Sequence, residues 1–167
     1  MKPNVQIVAG SAKLYQVAAA EFVSAASEAV HKNGVFTVAL AGGSTPKGLY
    51  SLLATDPHLQ AEVPWKKILF FFGDERHVPP DHSDSNYRMA SETMRSKVPI
   101  DSTQVFRVKG EYKDAAKAAA EYEKALQESF HITPGRLPCI DLVMLGMGQK
   151  DTQLRSRARR RSTNYSN

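Results

Sequence analysis

Two polar segments of the chain follow apolar runs and carry residues that could bind an anion. The first is AGGSTPKGLY, residues 41–50. It combines glycines that permit tight turns with hydroxyl residues that can cap a helix, Gly42, Gly43, Ser44 and Thr45. Free backbone amides at the start of the following helix would form an anion pocket. A simple capped turn explains the segment equally well, and neither GxxxxGK[ST] nor GxGxxG is present to indicate a nucleotide.

The second segment is GDERHVPPDHSDSNYRMA, residues 73–90. Asp74, Glu75 and Arg76 directly follow an apolar run, and an arginine held by a carboxylate suits a phosphate or carboxylate ligand. The alternative is a local ion pair at the end of a strand. His77 and His82 could suggest a metal, but their spacing matches no familiar ligand pattern.

Apolar runs alternate with amphipathic stretches along the chain. This alternation predicts an α/β fold, with a Rossmann-like parallel sheet that has helices on both faces. In the first helix, an apolar face is expected at Leu14, Ala18, Phe22, Ala25 and Ala29. The predicted strands are 5–8, 35–40, 67–73, 104–108 and 140–145, and the predicted helices are 11–32, 46–54, 86–96 and 114–130.

Ligands of such sheets bind outside the carboxyl ends of the strands. Both polar segments leave predicted strands there. A third segment, LGMG at residues 145–148, leaves the last predicted strand through glycines. We therefore expect the three segments to lie close together at one edge of the sheet.

Composition limits the partners and the location of the chain. The 167 residues carry a formal net charge of +5, and residues 150–167 account for all of it, with Lys150 and five arginines against Asp151. The remainder is neutral, so a nucleic acid partner would depend on the tail alone. Cys139 lies next to an apolar run and is expected to be a buried thiol in a reducing compartment. The N-terminus lacks a secretory apolar region and no run is long enough to span a bilayer, so a cytoplasmic protein without membrane contact is expected.

The segments ALAGGSTPKGLY, FFGDERHVPPDHSDSNYRM and DLVMLGMG, in this order and with helices between them, resemble the 6-phosphogluconolactonase family over roughly residues 5–148. The related glucosamine-6-phosphate deaminases share the fold and a GSTP-type loop. Their second motif begins with a DE-Y pattern, whereas this chain has the DER-V pattern of the lactonases.

The resemblance implies hydrolysis of 6-phosphoglucono-1,5-lactone to 6-phosphogluconate, in the oxidative pentose phosphate pathway, without metal or cofactor. It also implies that a small sugar-phosphate lactone is the partner. By position, the residues implied for the substrate pocket are Gly42, Gly43, Ser44 and Thr45 on one side and Asp74, Arg76, Asn86 and Arg88 on the other.

The chain departs from the resemblance after Gly148. The family continues with a segment like DGHTASLFPGT, whose histidine is the general base, but here the sequence is QKDTQLRSRARRRS. Codons for residues 150–162, read from the third base of the lysine codon, permit Gly-His-Thr-Ala-Ser-Leu-Pro-Gly-Thr-x-Ala-Leu, the family segment without one Phe. We therefore interpret residues 1–148 as the first two thirds of a lactonase-like domain. Residues 149–167 are interpreted as a basic tail that is disordered or translated from a shifted frame, through a mutation or a sequencing error.

Three alternatives stay open at this point: a deaminase-like sugar-phosphate enzyme, a sugar-phosphate-binding remnant without catalysis, and a basic arm for nucleic acid. The last is disfavoured because no aromatic residues alternate with the arginines. Compared with the family, the later strands and helices are missing, so the resemblance implies a sheet that is incomplete at its C-terminal end. Its apolar strands would then be partly exposed, which predicts low solubility or self-association. The oligomeric state itself is not readable from the sequence.

Overall fold

The computed structural model describes residues 5–146. Its sheet contains three parallel strands in the order β2-β1-β3, with β1 at Phe36–Leu40, β2 at Ile68–Phe72 and β3 at Leu142–Val143. The helices are α1 at Gly10–Asn33, α2 at Ser44–Thr55, α3 at Pro57–Glu62, α4 at Asn86–Thr93 and α5 at Ala115–Phe130. Three short 3₁₀ turns lie at Trp65–Lys67, Arg95–Lys97 and Ser102–Gln104. The predicted α/β class and parallel sheet are confirmed.

Alternate residues of each strand point to opposite faces of the sheet, and other parts of the chain cover both faces. In β1 and β2, Val38 lies beside Phe70 and packs against the core formed with α1, α2 and α4. On the opposite face, Phe71 stacks on Phe106 and contacts Phe130 at the end of α5. Both faces of β2 are therefore buried, which explains why its sequence is continuously apolar.

The first helix buries a face close to the predicted one. Ala19, Phe22, Ala26 and Ala29 are buried, and Ala18 and Ala25 pack against them half-buried. The exception is Leu14, which is 39% exposed. Gly34 ends the helix in the left-handed conformation, with its amide donating to Val30 O, as the Asn-Gly pair predicts.

Two predicted strands are wrong. Residues 5–8 form no strand, and Val5 and Ile7 are exposed, because none of the described strands pairs with them. In 104–108, only Val105 bridges to β2, at Phe70. The chain turns there because Gln104 is held by a capping box with Asp101 and donates to the carbonyls of Trp65 and Ile68.

The last predicted strand is shorter and more exposed than expected. It forms two residues of β3, whose Val143 is 48% exposed, and Cys139 lies on the surface rather than in the core. Both differences follow from position, since β3 is the edge strand of the described sheet. A reciprocal set of hydrogen bonds still joins it to β1: Asp141 Oδ2 accepts from Thr37 N at 2.8 Å and Thr37 Oγ1 at 2.6 Å, and Asp141 N donates to Thr37 Oγ1.

Candidate anion-binding site

The parallel pairing of β1 and β2 brings two of the polar segments to one edge of the sheet. Leu40 and Phe72 are partners in the register, and the amide of Gly73 donates to Leu40 O at 2.9 Å. Residues 41–43 then lead from β1 into α2, and residues 73–85 lead from β2 to α4. The expectation that these segments lie together is therefore met by the geometry.

Two tyrosine hydroxyls fix the strand ends from which these segments leave. Tyr50 Oη accepts from Ala41 N at 3.0 Å and donates to Ala41 O at 2.9 Å, and Tyr122 Oη makes the same pair of bonds with Phe72. Burial raises the pKa of Tyr50 well above its usual range and that of Tyr122 to about 12. Both hydroxyls therefore stay neutral and act as backbone anchors at physiological pH.

The N-terminus of α2 is open. Its N-cap is Gly43, with a φ of 105°, and no side chain of the described residues caps it, so Ser44 and Thr45 do not supply the cap that their types suggested. The conformation of Gly43 favours glycine because a Cβ there would be strained. The first helical bond runs from Lys47 N to Gly43 O, and Ser44 and Thr45 are exposed at the start of the helix. The backbone amides of Ser44 and Thr45 are therefore available to an anion.

The N-terminus of α4, in contrast, is occupied by a carboxylate of the same chain. Glu75 Oε1 accepts from the amide of Asn86 at 2.7 Å, and Oε2 accepts from the amide of Tyr87 at 2.9 Å and the hydroxyl of Ser85 at 3.2 Å. Glu75 Oε1 also accepts from the amide of Arg76. The charge therefore stabilises the start of the helix and orders residues 73–76.

Asn86 joins the two segments. Its side chain is buried, and Nδ2 donates to Asp74 O at 3.1 Å. A Cβ placed on Gly42 would overlap the Asn86 amide group, so the first segment can approach the second only with glycine at this position. Asn86 thus fixes the spacing between the segments from β1 and β2.

A cavity of about 370 Å³ lies between the open end of α2 and the start of α4. Its lining residues are Gly43, Lys47, Arg76, Val78, Ser83, Asp84, Ser85, Asn86 and Met89. Of the eight residues implied by the resemblance, the cavity wall contains Gly43, Arg76 and Asn86. Lys47 and Met89 were missed, although Lys47 lies inside the first motif and Met89 follows Asn86 by three residues on the same helix.

The cavity wall contains two cations, the ammonium of Lys47 and the guanidinium of Arg76. Within residues 5–146, the side-chain nitrogens of Lys47 and Arg76 have no carboxylate oxygen within 4 Å. Asp84 also lines the cavity, and its carboxylate lies 3.9 Å from His82 Nδ1. The wall is therefore suited to an anion, with a planar guanidinium and an ammonium to bind it.

The other implied residues lie around the cavity and not in its wall. Gly42 packs against the side chain of Asn86. Ser44 and Thr45 are exposed at the N-terminus of α2, and Asp74 is also exposed. Arg88 points to its own helix and the preceding loop, where Nε donates to Glu92 Oε1 at 2.6 Å and one terminal nitrogen donates to Asp81 O at 2.8 Å. The bond to Glu92 raises the pKa of the Arg88 guanidinium.

The remaining chemical features are distributed as follows. His77 bonds to the carbonyl of Tyr112, and in the part of the chain that the structure describes no three His, Cys, Asp or Glu side chains are grouped as metal ligands. Of the third segment, Gly146 lies beside Gly42, since an ideal Cβ there would be 3.6 Å from Gly42 O. The segment that follows β3 therefore reaches the same edge. Residues 147–167, on which the predicted tail and shifted frame depend, lie outside the described residues.

The fold and site define an open parallel α/β domain with a cavity, lined by Lys47 and Arg76, at the carboxyl edge of its sheet. A sequence model described as glucosamine-6-phosphate isomerases/6-phosphogluconolactonase matches residues 9–151. The chain therefore belongs to this family. Across residues 5–146, no helix is both long and apolar enough to cross a membrane.

Individual relatives agree with this assignment. The chain is 38% identical to a 6-phosphogluconolactonase from Nostoc sp. and 35% identical to one from Synechocystis sp., in each case over 89% of this chain and 60% of the relative. The solved structure of 6-phosphogluconolactonase from Trypanosoma cruzi is 34% identical with a TM-score of 0.74, over 88% of this chain and 59% of that one. A monomeric glucosamine-6-phosphate deaminase, 21% identical with a TM-score of 0.63, shares the fold. The chain thus spans about 60% of the length of these lactonases.

Proposed function

We propose that the cavity binds the phosphate of 6-phosphoglucono-1,5-lactone and that the function of the complete site is hydrolysis of this lactone to 6-phosphogluconate. The observation that carries the proposal is the pair of cations, Lys47 and Arg76, which have no carboxylate partner within residues 5–146 and lie beside the open N-terminus of α2. A phosphate dianion would receive the planar donors of Arg76, the point charge of Lys47 and the backbone amides that begin α2. Binding energy from the phosphate would then hold the lactone ring in place for attack.

Hydrolysis of a lactone requires a water molecule activated by a base and a site that stabilises charge on the carbonyl oxygen. Gly146, the last residue of the third segment that the structure describes, lies beside Gly42, and residues 147–155 follow it in the sequence. In the family that this chain resembles, the base is a histidine of that segment. Residues 149–155 read QKDTQLR and contain no imidazole, and an aspartate carboxylate with its ordinary acidity is a weak base at neutral pH.

We therefore expect the chain as written to bind the sugar phosphate but to hydrolyse the lactone at or near the spontaneous rate. Loss of a general base alone typically lowers the rate by ~10²- to 10⁴-fold. The test is a coupled assay that subtracts uncatalysed ring opening, run beside a version whose reading frame is restored after Gly148. Turnover well above background by the unrestored chain would contradict both the shifted frame and the placement of the base.

Binding is tested separately by calorimetry with 6-phosphogluconate, a stable product, and with gluconate as the matched ligand without phosphate. The proposal predicts measurable affinity for the first and much weaker affinity for the second. Binding without turnover in either version would favour the sugar-phosphate-binding remnant. Turnover of glucosamine 6-phosphate in place of the lactone would favour the deaminase reading.

The cytoplasmic location belongs to the same proposal, and fractionation of cells that express the chain tests it. Relatives from rice and Arabidopsis thaliana are named chloroplastic.

A further inference from the structure

Arg76 lies on a loop whose position is set by a distant part of the chain. The amide of Val78 donates to Arg76 O at 2.8 Å, so the backbone turns tightly directly after Arg76. A second tight turn, in which Gly110 N donates to Val108 O at 3.0 Å, packs directly against the first. Gly110 is buried between the two turns.

The contact at Gly110 is closer than any side chain allows. A Cβ built on Gly110 would overlap the carbonyl oxygen of Arg76 and would lie 2.8 Å from the carbonyl oxygen of Val78. Both neighbours are backbone atoms, so they can move away only if one of the turns moves. The φ of Gly110 is outside the positive range, so glycine is required here by the close approach and not by the backbone conformation.

The segment that carries Gly110 is itself well fixed. Arg107 donates two hydrogen bonds to Glu111, at 2.9 and 2.7 Å, and its guanidinium lies 5.4 Å from the centre of the Tyr87 ring on α4. The carbonyl of Tyr112 bonds to His77, the residue after Arg76. The turn at Gly110 is thus tied to α4 and to the loop on both sides of the contact.

We infer that Gly110 is a positioning residue for the anion site. The Arg76 peptide packs directly against Gly110, and this contact determines where the guanidinium meets the phosphate. This inference rests on the proposed function for the identity of the ligand, but not for the position of the loop. A methyl group at Gly110 must displace the backbone at residues 76–78 or the turn at 108–110. Either displacement separates Arg76 from the position that it shares with Lys47 in the cavity wall.

The test compares Gly110→Ala with Gly73→Ala in the full chain. The same methyl group at Gly73 would meet Leu40 O at 3.6 Å, an ordinary contact, in the same loop and outside the cavity wall. Gly110→Ala is expected to raise the Kd for 6-phosphogluconate by about tenfold, the order of one charge-assisted hydrogen bond. Gly73→Ala is expected to leave it unchanged. In an Arg76→Ala background, Gly110→Ala should change the Kd by less than about twofold, because its effect passes through Arg76.

A readout without ligand separates this inference from the proposed function. Amide NMR shifts of Arg76, His77 and Val78 should move in Gly110→Ala and stay in place in Gly73→Ala. If the parent chain does not bind 6-phosphogluconate, the proposed function is wrong, and the amide shifts alone decide the role of Gly110. Unmoved amides at residues 76–78, or an undiminished effect of Gly110→Ala in the Arg76→Ala background, would overturn the inference.

Should Gly110→Ala fail to fold, His77→Ala tests whether the segment that carries Gly110 positions the Arg76 loop, because it removes a second contact between the two, the bond from His77 to the Tyr112 carbonyl. The expected result is a smaller rise in Kd with displaced amides at residues 76–78. An unchanged Kd together with unmoved amides would then overturn the inference.

Discussion

Two helices begin at the cavity, and their N-terminal backbone amides differ in whether a side chain of the described residues binds them. The first amides of α4 are bonded to the carboxylate of Glu75, with Ser85 as the N-cap residue. The first amides of α2 follow Gly43 and have no side-chain cap. A helix N-terminus attracts negative charge in both cases, but at α4 the chain supplies the anion itself.

This difference separates what holds the site together from what the site can bind. Glu75 binds the first amide of α4 and the amide of Arg76, which orders the loop that carries Arg76 and stabilises the fold. At α2, the open terminus borders the same cavity as Lys47 and Arg76 and is suited to an external ligand. Substitutions at the two termini should accordingly change different quantities, the free energy of unfolding at α4 and the affinity for the sugar phosphate at α2.

The largest effect is expected for Glu75→Ala. The substitution leaves two helix amides, one loop amide and the Ser85 hydroxyl without their acceptor. We expect the free energy of unfolding to fall by about 2 to 4 kcal/mol, the range for loss of a partly buried charged acceptor with several partners. Urea unfolding measures this change.

Formate provides a sharper version of the same experiment. A carboxylate ion that fits the space left by Glu75→Ala should stabilise this variant more than the parent chain, at equal ionic strength with chloride as the control. A loss of stability below 1 kcal/mol, or equal effects of formate on both chains, would contradict the role given to Glu75 as the ligand of α4.

The next effect concerns affinity and compares Arg76→Ala with Arg88→Ala. Arg76 lines the cavity without a carboxylate partner in residues 5–146, whereas Arg88 is bonded to Glu92 and Asp81 O outside it. Arg76→Ala should weaken binding of 6-phosphogluconate by about 1.5 to 3 kcal/mol, roughly 10- to 150-fold in Kd. Arg88→Ala should leave the Kd within about twofold, since its guanidinium is elsewhere.

Gluconate decides what Arg76 recognises. If Arg76 binds the phosphate, its replacement should barely change the weak affinity for gluconate, and in a chain with a restored frame it should raise KM mainly for the phosphorylated lactone. Equal losses for ligands with and without phosphate would show that Arg76 does not contact that group. A large effect of Arg88→Ala would show that this arginine leaves Glu92 when the ligand binds.

Much of the fold could be predicted from the sequence because its pattern reflects burial on both faces. β1 and β2 are continuously apolar, and the structure places both in the centre of the described core. The predicted strands that were wrong, 5–8 and 104–108, are apolar enough for strands. Whether such a run joins a sheet depends on a free neighbour in space, and the sequence does not contain that information.

The site was predicted less completely, for reasons that the residues make clear. Motifs located the two segments, but the direction of a side chain depends on its partners. Arg88 was placed in the pocket by its position in the motif, but it pairs with Glu92, four residues later on the same helix. Glu75 caps a helix that begins eleven residues further along, and Gly110 reaches the loop from a different segment. Contacts of this kind become visible only in three dimensions.

The smallest expected effect concerns residues 107–112, the segment that contacts both α4 and the Arg76 loop. The hydrogen bonds from Arg107 lower the pKa of Glu111 from its ordinary 4.5 to about 2. Because the carboxyl is more acidic in the folded chain, its contribution to stability is complete above pH 4.5 and is lost as the pH falls toward 2. Glu111→Gln should therefore make the urea midpoint less dependent on pH between 4.5 and 2.

Glu62→Gln, at an exposed carboxylate without an ion-pair partner in residues 5–146, is the matched control and should follow the parent chain. An identical pH dependence in all three chains would show that the Arg107–Glu111 pair does not stabilise the fold, and the support of the Arg76 loop would then depend on Gly110 and Tyr112 alone.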